Sequence, residues 1–141
     1  MLVRLLYVSR LKNPQDPSVL DAILSECRAR NPEKGITGIL CSGDGLVLQA
    51  LEGGRDAVSQ IYGHICHDTR HTDVVLLDFE EITERRFGSW TMGQVNLAKL
   101  NTSIVLKYSE KTTLDPYSVS GKVSLALLEE LMANAAVIGR I

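Results

Sequence analysis

The chain contains few of the residues that mark disulfide-rich or nucleic-acid-binding proteins. Only three cysteines occur in 141 residues, and their odd number and spacing fit neither a disulfide framework nor a Cys-x-x-Cys motif. We therefore expect Cys27, Cys41 and Cys66 to be reduced, packed thiols. Fifteen Lys and Arg against seventeen Asp and Glu leave a net charge of -2 without a dense basic cluster. Nucleic acid is therefore not expected as a direct partner.

Long apolar runs are also missing. No run reaches the roughly 18 residues needed to span a bilayer, and Met1-Leu2-Val3-Arg4 lacks the charged-then-apolar plan of a signal peptide. We expect a cytoplasmic protein with no membrane partner. The length suits one domain built around one core.

The motifs of several enzyme classes are absent. The glycines near the middle of the chain do not form a G-x-G-x-x-G turn before a helix, and neither a catalytic triad nor a substrate-activating base is recognisable. His64, His67 and His71, with Cys66 among them, could suggest a metal site. Because one helical edge rarely closes a tetrahedral shell, a solvated helix end is the simpler interpretation. We expect neither a metal site nor an enzyme.

The sequence does contain an amide, Gln49, that is expected to be buried. Gln49 interrupts Leu46–Leu51, a run that is apolar on both faces and typical of a strand buried on both sides. An unpaired buried amide costs about 1–3 kcal/mol, so a polar partner is expected beside it. The alternation of the first strand lets Tyr7 point where Gln49 points.

Other polar and sulfur side chains could join this pair around one cavity. Asn31 closes the first helical segment before Pro32, and alternation along Arg85–Met92 predicts a strand that places Trp90 and Met92 together. An apolar cavity with a few convergent polar groups is the usual form of a small-ligand site. The neighbouring Arg85-Arg86 pair is interpreted as an exposed, charged turn.

The order of elements predicts an α+β fold of the ferredoxin-like β-α-β-β-α-β(-β) type, with a mixed sheet. A helix should run from Asp16-Pro17 to about Arg30, and turn residues at Ser42–Gly45 predict a hairpin. Val58–Cys66 and Thr72–Phe79 supply the second helix and the next strand. Right-handed crossovers put both helices on one face, where they can hold something flat.

Residues 96–141 are predicted to be a helical extension of a domain at residues 1–95. Asn101 can cap a short helix through Tyr108, and Asp115-Pro116 opens another. The apolar face of that second helix consists of Val123, Leu127, Leu128, Leu131 and Met132. We expect these C-terminal helices to cover the other face of the sheet.

Several separate motifs, in order, resemble the BLUF family of blue-light-using flavin photoreceptors over about residues 1–95. They are Tyr7-Val8-Ser9, Asn31, Gly35-Ile36-Thr37-Gly38, Gln49-Ala50-Leu51-Glu52-Gly53, Asp68-Thr69-Arg70-His71 and Phe87-Gly88-Ser89-Trp90-Thr91-Met92. The resemblance implies a non-covalently bound flavin, FAD in the first place, with FMN or riboflavin as alternatives. It also implies that light moves an electron and a proton from Tyr7 to the flavin, and that Gln49 changes its hydrogen bonds before they return.

The resemblance also assigns further residues to the flavin. Asn31 is the fixed amide, and Trp90 and Met92 compete for a place beside the pocket. The remaining contacts it implies are Ile23, Arg30, Leu40, Ile65, Asp68, Arg70 and His71. Arg30 departs from the residue often found there in relatives.

The leading hypothesis is a photoreceptor that signals to a separate, unidentified protein, with a homodimer left open. A flavin redox enzyme on the same sheet is one alternative, and it would need a second pocket for a substrate. A ligand-free ferredoxin-like assembly module, with Gln49 merely satisfied in the core, is another.

Overall fold

A computed structural model describes residues 1–133 of the chain. Its strands and helices are β1 (Leu2–Leu11), α1 (Pro17–Lys34), β2 (Thr37–Gly43), β3 (Leu46–Gly54), α2 (Arg55–His67), β4 (His71–Glu81), β5 (Gly93–Asn96), α3 (Thr102–Tyr108) and α4 (Gly121–Ala133), with a short 3-10 helix at Leu97–Lys99. None of the helices in this part of the chain has the length and apolar character needed to cross a membrane.

The five strands form one mixed sheet in the order β4-β1-β3-β2-β5. β1 pairs antiparallel with β3 and β4, β2 pairs antiparallel with β3, and only β2 and β5 run parallel. Asp44 and Gly45 join β2 to β3 with positive φ angles of 52° and 79°, as the tightest hairpin turns require. The predicted ferredoxin-like α+β fold is confirmed.

The strands bury apolar side chains on both faces of the sheet. Leu5, Tyr7 and Leu51 belong to a cluster with residues of α1 and α2, which defines the site face. Leu6 and Val8 belong to a second cluster that contains Trp90 and the apolar residues of α4, which defines the tail face. The C-terminal helices therefore cover the face opposite α1 and α2, as predicted.

Helix α1 is longer than predicted, because it passes through Pro32 and ends at Lys34. Asp16 caps its start as expected. Proline removes only one donor near the end of the helix, and Gly35, at φ 65°, closes the last turn through its N–H on the carbonyls of Asn31 and Pro32. The prediction that Asn31 ends the helix is therefore wrong.

Two boundaries beyond β4 also differ from the predictions. Residues 85–92 do not form a strand, and β5 begins only at Gly93. Helix α4 begins at Gly121 rather than at Asp115-Pro116, and the Ser120 hydroxyl accepts from the N–H of Val123 at its start. The division at residue 95 stays a prediction, and residues 134–141 lie outside the described part of the chain.

Candidate functional site

Tyr7 and Gln49 form the centre of the site. They lie directly opposite each other on β1 and β3, and each is only 2 % exposed. The Tyr7 hydroxyl donates a hydrogen bond to Oε1 of Gln49. The other end of the amide is held less firmly, because the acceptors of Nε2 within residues 1–133 are sulfur atoms, Met92 Sδ at 3.3 Å and Cys27 Sγ at 4.0 Å.

The surroundings of Tyr7 keep its phenol protonated. Burial raises the pKa of Tyr7 well above its ordinary value, and the nearby Cys27 and Asp68 raise it further. Its ring also packs against Tyr62, with ring centres 5.8 Å apart. Tyr7 is thus a buried, neutral hydrogen-bond donor.

Asn31 and Arg30 bring incompletely paired polar atoms to the last turns of α1. Asn31 is fully buried, and its Nδ2 donates to the carbonyl of Thr91 at 2.7 Å. Within residues 1–133, neither Oδ1 of Asn31 nor Nε of Arg30 has a hydrogen-bond partner, although both atoms are buried. Buried polar atoms are nearly always paired in folded proteins, so an acceptor and a donor are available here to a ligand.

A cavity of about 200 Å³ lies between the two helices and the site face. Eight of the predicted contact residues line it, namely Tyr7, Ile23, Arg30, Gln49, Ile65, Asp68, Arg70 and His71. Five further lining residues were missed: Glu26, Cys27, Val47, Ile61 and His64. Helical spacing could have found four of them, because Glu26 and Cys27 lie one turn from residues 23 and 30, Ile61 lies one turn before residue 65, and His64 lies one turn before residue 68.

Charged groups from the middle of α1 and from the residues just after α2 meet at this cavity. Arg70, just after α2, pairs with Glu26 of α1 at 2.8 Å and with Asp68 at 2.7 Å. Hydrogen bonds from Arg70 lower the pKa of Asp68, so this carboxylate stays ionised.

His71 is held at both ring nitrogens. Its Nε2 lies 3.0 Å from the carbonyl of Ile65, which can only accept, so Nε2 carries a hydrogen. Its Nδ1 lies 2.7 Å from the hydroxyl of Ser9. His71 is thereby fixed edge-on to Tyr7, with ring centres 6.4 Å apart. Within residues 1–133, no group of three or more His, Cys, Asp and Glu side chains could hold a metal ion.

Four predicted site residues do not line the cavity. Leu40 is fully buried and lies opposite Gln49 on β2, and Asn31 and Met92 are buried but are not among the lining residues. Trp90 lies farther away, since it packs in the tail-face cluster while Met92 packs in the site-face cluster. The prediction that alternation places Trp90 and Met92 together is therefore wrong.

The chain around Trp90 explains this arrangement. The carbonyls of residues 90, 91 and 92 accept from the N–H of Gly38, from the side chain of Asn31 and from the guanidinium of Arg28 respectively. Because these bonds replace a strand ladder, successive side chains need not alternate.

The polar atoms of the site suit the edge of a flavin ring. Such an edge shows a ring N–H, a carbonyl and a ring nitrogen, so it needs both donors and acceptors from the protein. The unpaired acceptor of Asn31, the unpaired donor of Arg30 and the loosely held amide of Gln49 are of those kinds. The apolar cavity walls suit the flat ring itself.

Comparison with known proteins points to the same ligand. The family model BLUF, described as sensors of blue-light using FAD, matches residues 2–93. A photoactivated adenylate cyclase subunit beta from Euglena gracilis is 39 % identical over 92 residues, which is 64 % of this chain and 11 % of that protein. The blue light- and temperature-regulated antirepressor BluF of Escherichia coli K12 is 34 % identical over 88 residues, 62 % of this chain and 22 % of that protein.

Solved structures agree over most of the chain. BlrB, a BLUF protein in its dark state, superposes with a TM-score of 0.79 at 32 % identity and covers 95 % of this chain and 96 % of that one. The photo-activated state of BlsA gives a TM-score of 0.82 at 31 % identity, with 94 % and 95 % covered.

The match therefore covers a sensor unit that is only a small fraction of the Euglena protein and nearly all of the BlrB chain. With the family model spanning residues 2–93, this chain belongs to the BLUF family and contains a flavin-binding blue-light sensor domain.

Proposed function

We propose that this chain converts blue light into a rearrangement of the hydrogen bonds between Tyr7 and Gln49, and that it does so with FAD held in the cavity between α1 and α2. The observation that supports this most directly is the asymmetric pairing of the Gln49 amide. Its Oε1 accepts from a phenol, while the partners of its Nε2 in the described part of the chain are two sulfur atoms. An amide held this way loses little when Nε2 changes partner.

The residues divide into a fixed set and a switching set. Asn31 is anchored through Thr91, so its Oδ1 is available at a set position, and Arg30 offers a second contact. Tyr7 and Gln49 form the switching set. Flavin, when bound, absorbs blue light and accepts an electron and a proton.

Protonation of Tyr7 is the condition for its role. Because burial raises its pKa, the phenol keeps its proton in the dark and can give up an electron together with that proton. Loss of the phenolic hydrogen removes the donor to Gln49 Oε1, which frees the amide to turn. A turned amide exchanges donor for acceptor at each end, and this exchange is the signal.

The choice of FAD rests on the family description and on the charges beside the cavity. A cavity of about 200 Å³ is small for a whole ligand of this kind, so the ring would lie inside and the tail outside, near Asp68, Arg70 and His71. A solved BLUF-containing protein of Klebsiella pneumoniae, BlrP1, is described with FMN, which makes FMN the alternative.

The signal is proposed to leave through α4 to a separate protein. Met92, the acceptor of Gln49 Nε2, belongs to the segment that also places Trp90 against the tail face. A change at Gln49 can therefore alter the packing of α4 without any enzymatic step in this chain.

The absorption spectrum before and after blue light tests the proposed function. We expect a yellow protein whose flavin bands move slightly to the red in light and return in the dark. A lasting bleach would indicate a covalent adduct instead, and steady consumption of a reductant would favour the redox enzyme. A protein that stays colourless after incubation with flavin would favour the ligand-free module.

A further inference from the structure

A charged pair is buried on the tail face of the sheet. Arg4 and Glu52 lie opposite each other on β1 and β3 and are 2 % and 0 % exposed. Nε of Arg4 donates to Oε2 of Glu52 at 2.8 Å, and a terminal nitrogen of Arg4 lies 2.7 Å from the same oxygen. Replacing such a pair with apolar side chains is often neutral or stabilising, so stability alone does not account for it.

The second oxygen of Glu52 holds the loop that follows β4. Oε1 accepts from the backbone N–H of Phe87 at 2.6 Å and of Arg86 at 3.0 Å. This loop continues to Met92, whose sulfur contacts Gln49. One carboxylate thus fixes the start of the segment whose end lies in the candidate site.

The same pair is linked to α4 along two routes. Arg4 also lies opposite Glu80 on β4 and donates to it at 2.8 Å, and Lys122 of α4 donates to Glu80 at 3.1 Å. On the other route, Arg86 pairs with Glu129 of α4. Helix α4 is therefore connected electrostatically to both sides of Glu52.

We propose that Glu52, paired with Arg4, is a positioning residue that couples movement of the 86–92 segment to α4. This inference rests on the proposed hydrogen-bond switch and adds the route by which it reaches the tail face. When Gln49 changes partner, Met92 loses its contact and the segment shifts. The shift changes the bonds from Arg86 and Phe87 to Glu52, and Arg4 and Glu80 carry that change to Lys122.

The test compares hydrogen exchange of residues 121–133 in dark and light with the flavin absorption shift, in the full chain. In Glu52→Gln, one end of the side chain becomes a donor. This NH2 end must then face either Arg4 or the two backbone N–H groups. Because donors cannot pair with donors, one of these two sets of bonds is lost. Glu81→Gln is the matched control, because Glu81 forms an exposed pair with Arg55 outside this network.

A second variant, Arg4→Met with Glu52→Gln, removes both charges and leaves no unpaired charge in the core. Wild-type protein and Glu81→Gln are expected to show the red shift and a light-dependent change in exchange at α4. Both network variants are expected to keep the red shift while the change at α4 falls several-fold.

The outcomes separate the two proposals. A wild-type protein without a red shift contradicts the proposed function. The coupling role is overturned if the wild type shows the red shift without a change in exchange at α4. It is also overturned if α4 of a network variant responds to light as in the wild type. Loss of the red shift in both network variants would also overturn it, because the pair would then be a structural part of the site.

Discussion

Gln49 and Glu52 lie three residues apart on β3, point to opposite faces of the sheet, and are both buried. Glu52 accepts hydrogen bonds from Nε of Arg4 and from the backbone N–H groups of Arg86 and Phe87, and the Arg4 guanidinium compensates its charge. Gln49 has one strong bond, from Tyr7, and weak contacts with sulfur. The same strand therefore carries one polar side chain that is held firmly and one that is held weakly.

This difference shows how a small domain can combine a switch with a rigid frame. Charge-assisted bonds are roughly twice as strong as neutral ones, and thioethers are weak acceptors. Rearrangement should therefore begin at Gln49, and the bonds around Glu52 should change only after the 86–92 segment has shifted. Substitutions on either side of β3 test that division.

Gln49→Leu should have the largest effect, complete loss of the light-induced shift with flavin still bound. Leucine fills a similar volume but cannot exchange donor for acceptor. Absorption difference spectra measure this, and Gln60→Leu on the exposed side of α2 is the matched control. A full photocycle in Gln49→Leu would remove Gln49 from the switching set.

Tyr7→Phe should also abolish the photocycle, since the phenol that is proposed to give up an electron and the donor to Gln49 are both lost. Tyr62→Phe is the control, because its ring packs against Tyr7 without bonding to Gln49. Transient absorption after a blue flash distinguishes the two variants. Equal loss in both would mean that aromatic packing, rather than the Tyr7 hydroxyl, is required.

Gly38→Ala should destabilise the frame on which both side chains depend. A Cβ at Gly38 would lie 2.1 Å from the carbonyl oxygen of Ala50 and 3.2 Å from Met92 Cε, so the backbone must move. We expect a loss of about 1–3 kcal/mol in the free energy of unfolding. Gly63→Ala on α2, where no atom lies within 4 Å, should instead gain about 1 kcal/mol.

Denaturant titration of both glycine variants makes the comparison directly. A neutral Gly38→Ala would show that β2 can move away from Ala50 of β3 at little cost.

Met92→Leu should have the smallest effect. Leucine keeps the volume and removes the sulfur acceptor of Gln49 Nε2, which disfavours the dark arrangement. We expect the red shift to remain and dark recovery to slow several-fold. Trp90→Phe, on the tail face, should leave recovery unchanged. The reverse result would place Trp90, and not Met92, next to the switch.

The sequence predicted what depends on local pattern. Alternation was sufficient for β1 and β3 and for the facing of Tyr7 and Gln49, and Asp16-Pro17 was sufficient for the start of α1. Prediction from local pattern failed where side chains distant in the sequence determine the backbone conformation. Arg28 bonds to the carbonyl of residue 92 and Asn31 to that of residue 91, and no local signal shows this.

Charged residues were misjudged for the same reason. The interpretation of Arg85-Arg86 as an exposed turn is only partly right. The Arg85 side chain donates to the hydroxyl of Thr37 at 2.9 Å, and the N–H of Arg86 bonds to Glu52. Glu52 belongs to the motif Gln49–Gly53, but its partner Arg4 lies 48 residues away in the sequence.

Trp90 is the only tryptophan in the chain, and the structure places it in the tail-face cluster, 9 % exposed. The tryptophan fluorescence of the chain therefore comes from one known position, across the sheet from Gln49 and next to the apolar residues of α4. Indole emission is sensitive to the polarity and packing of its surroundings. The chain thus carries its own optical probe of the segment between the cavity and the tail, and the arrival of a signal there can be followed without any added label.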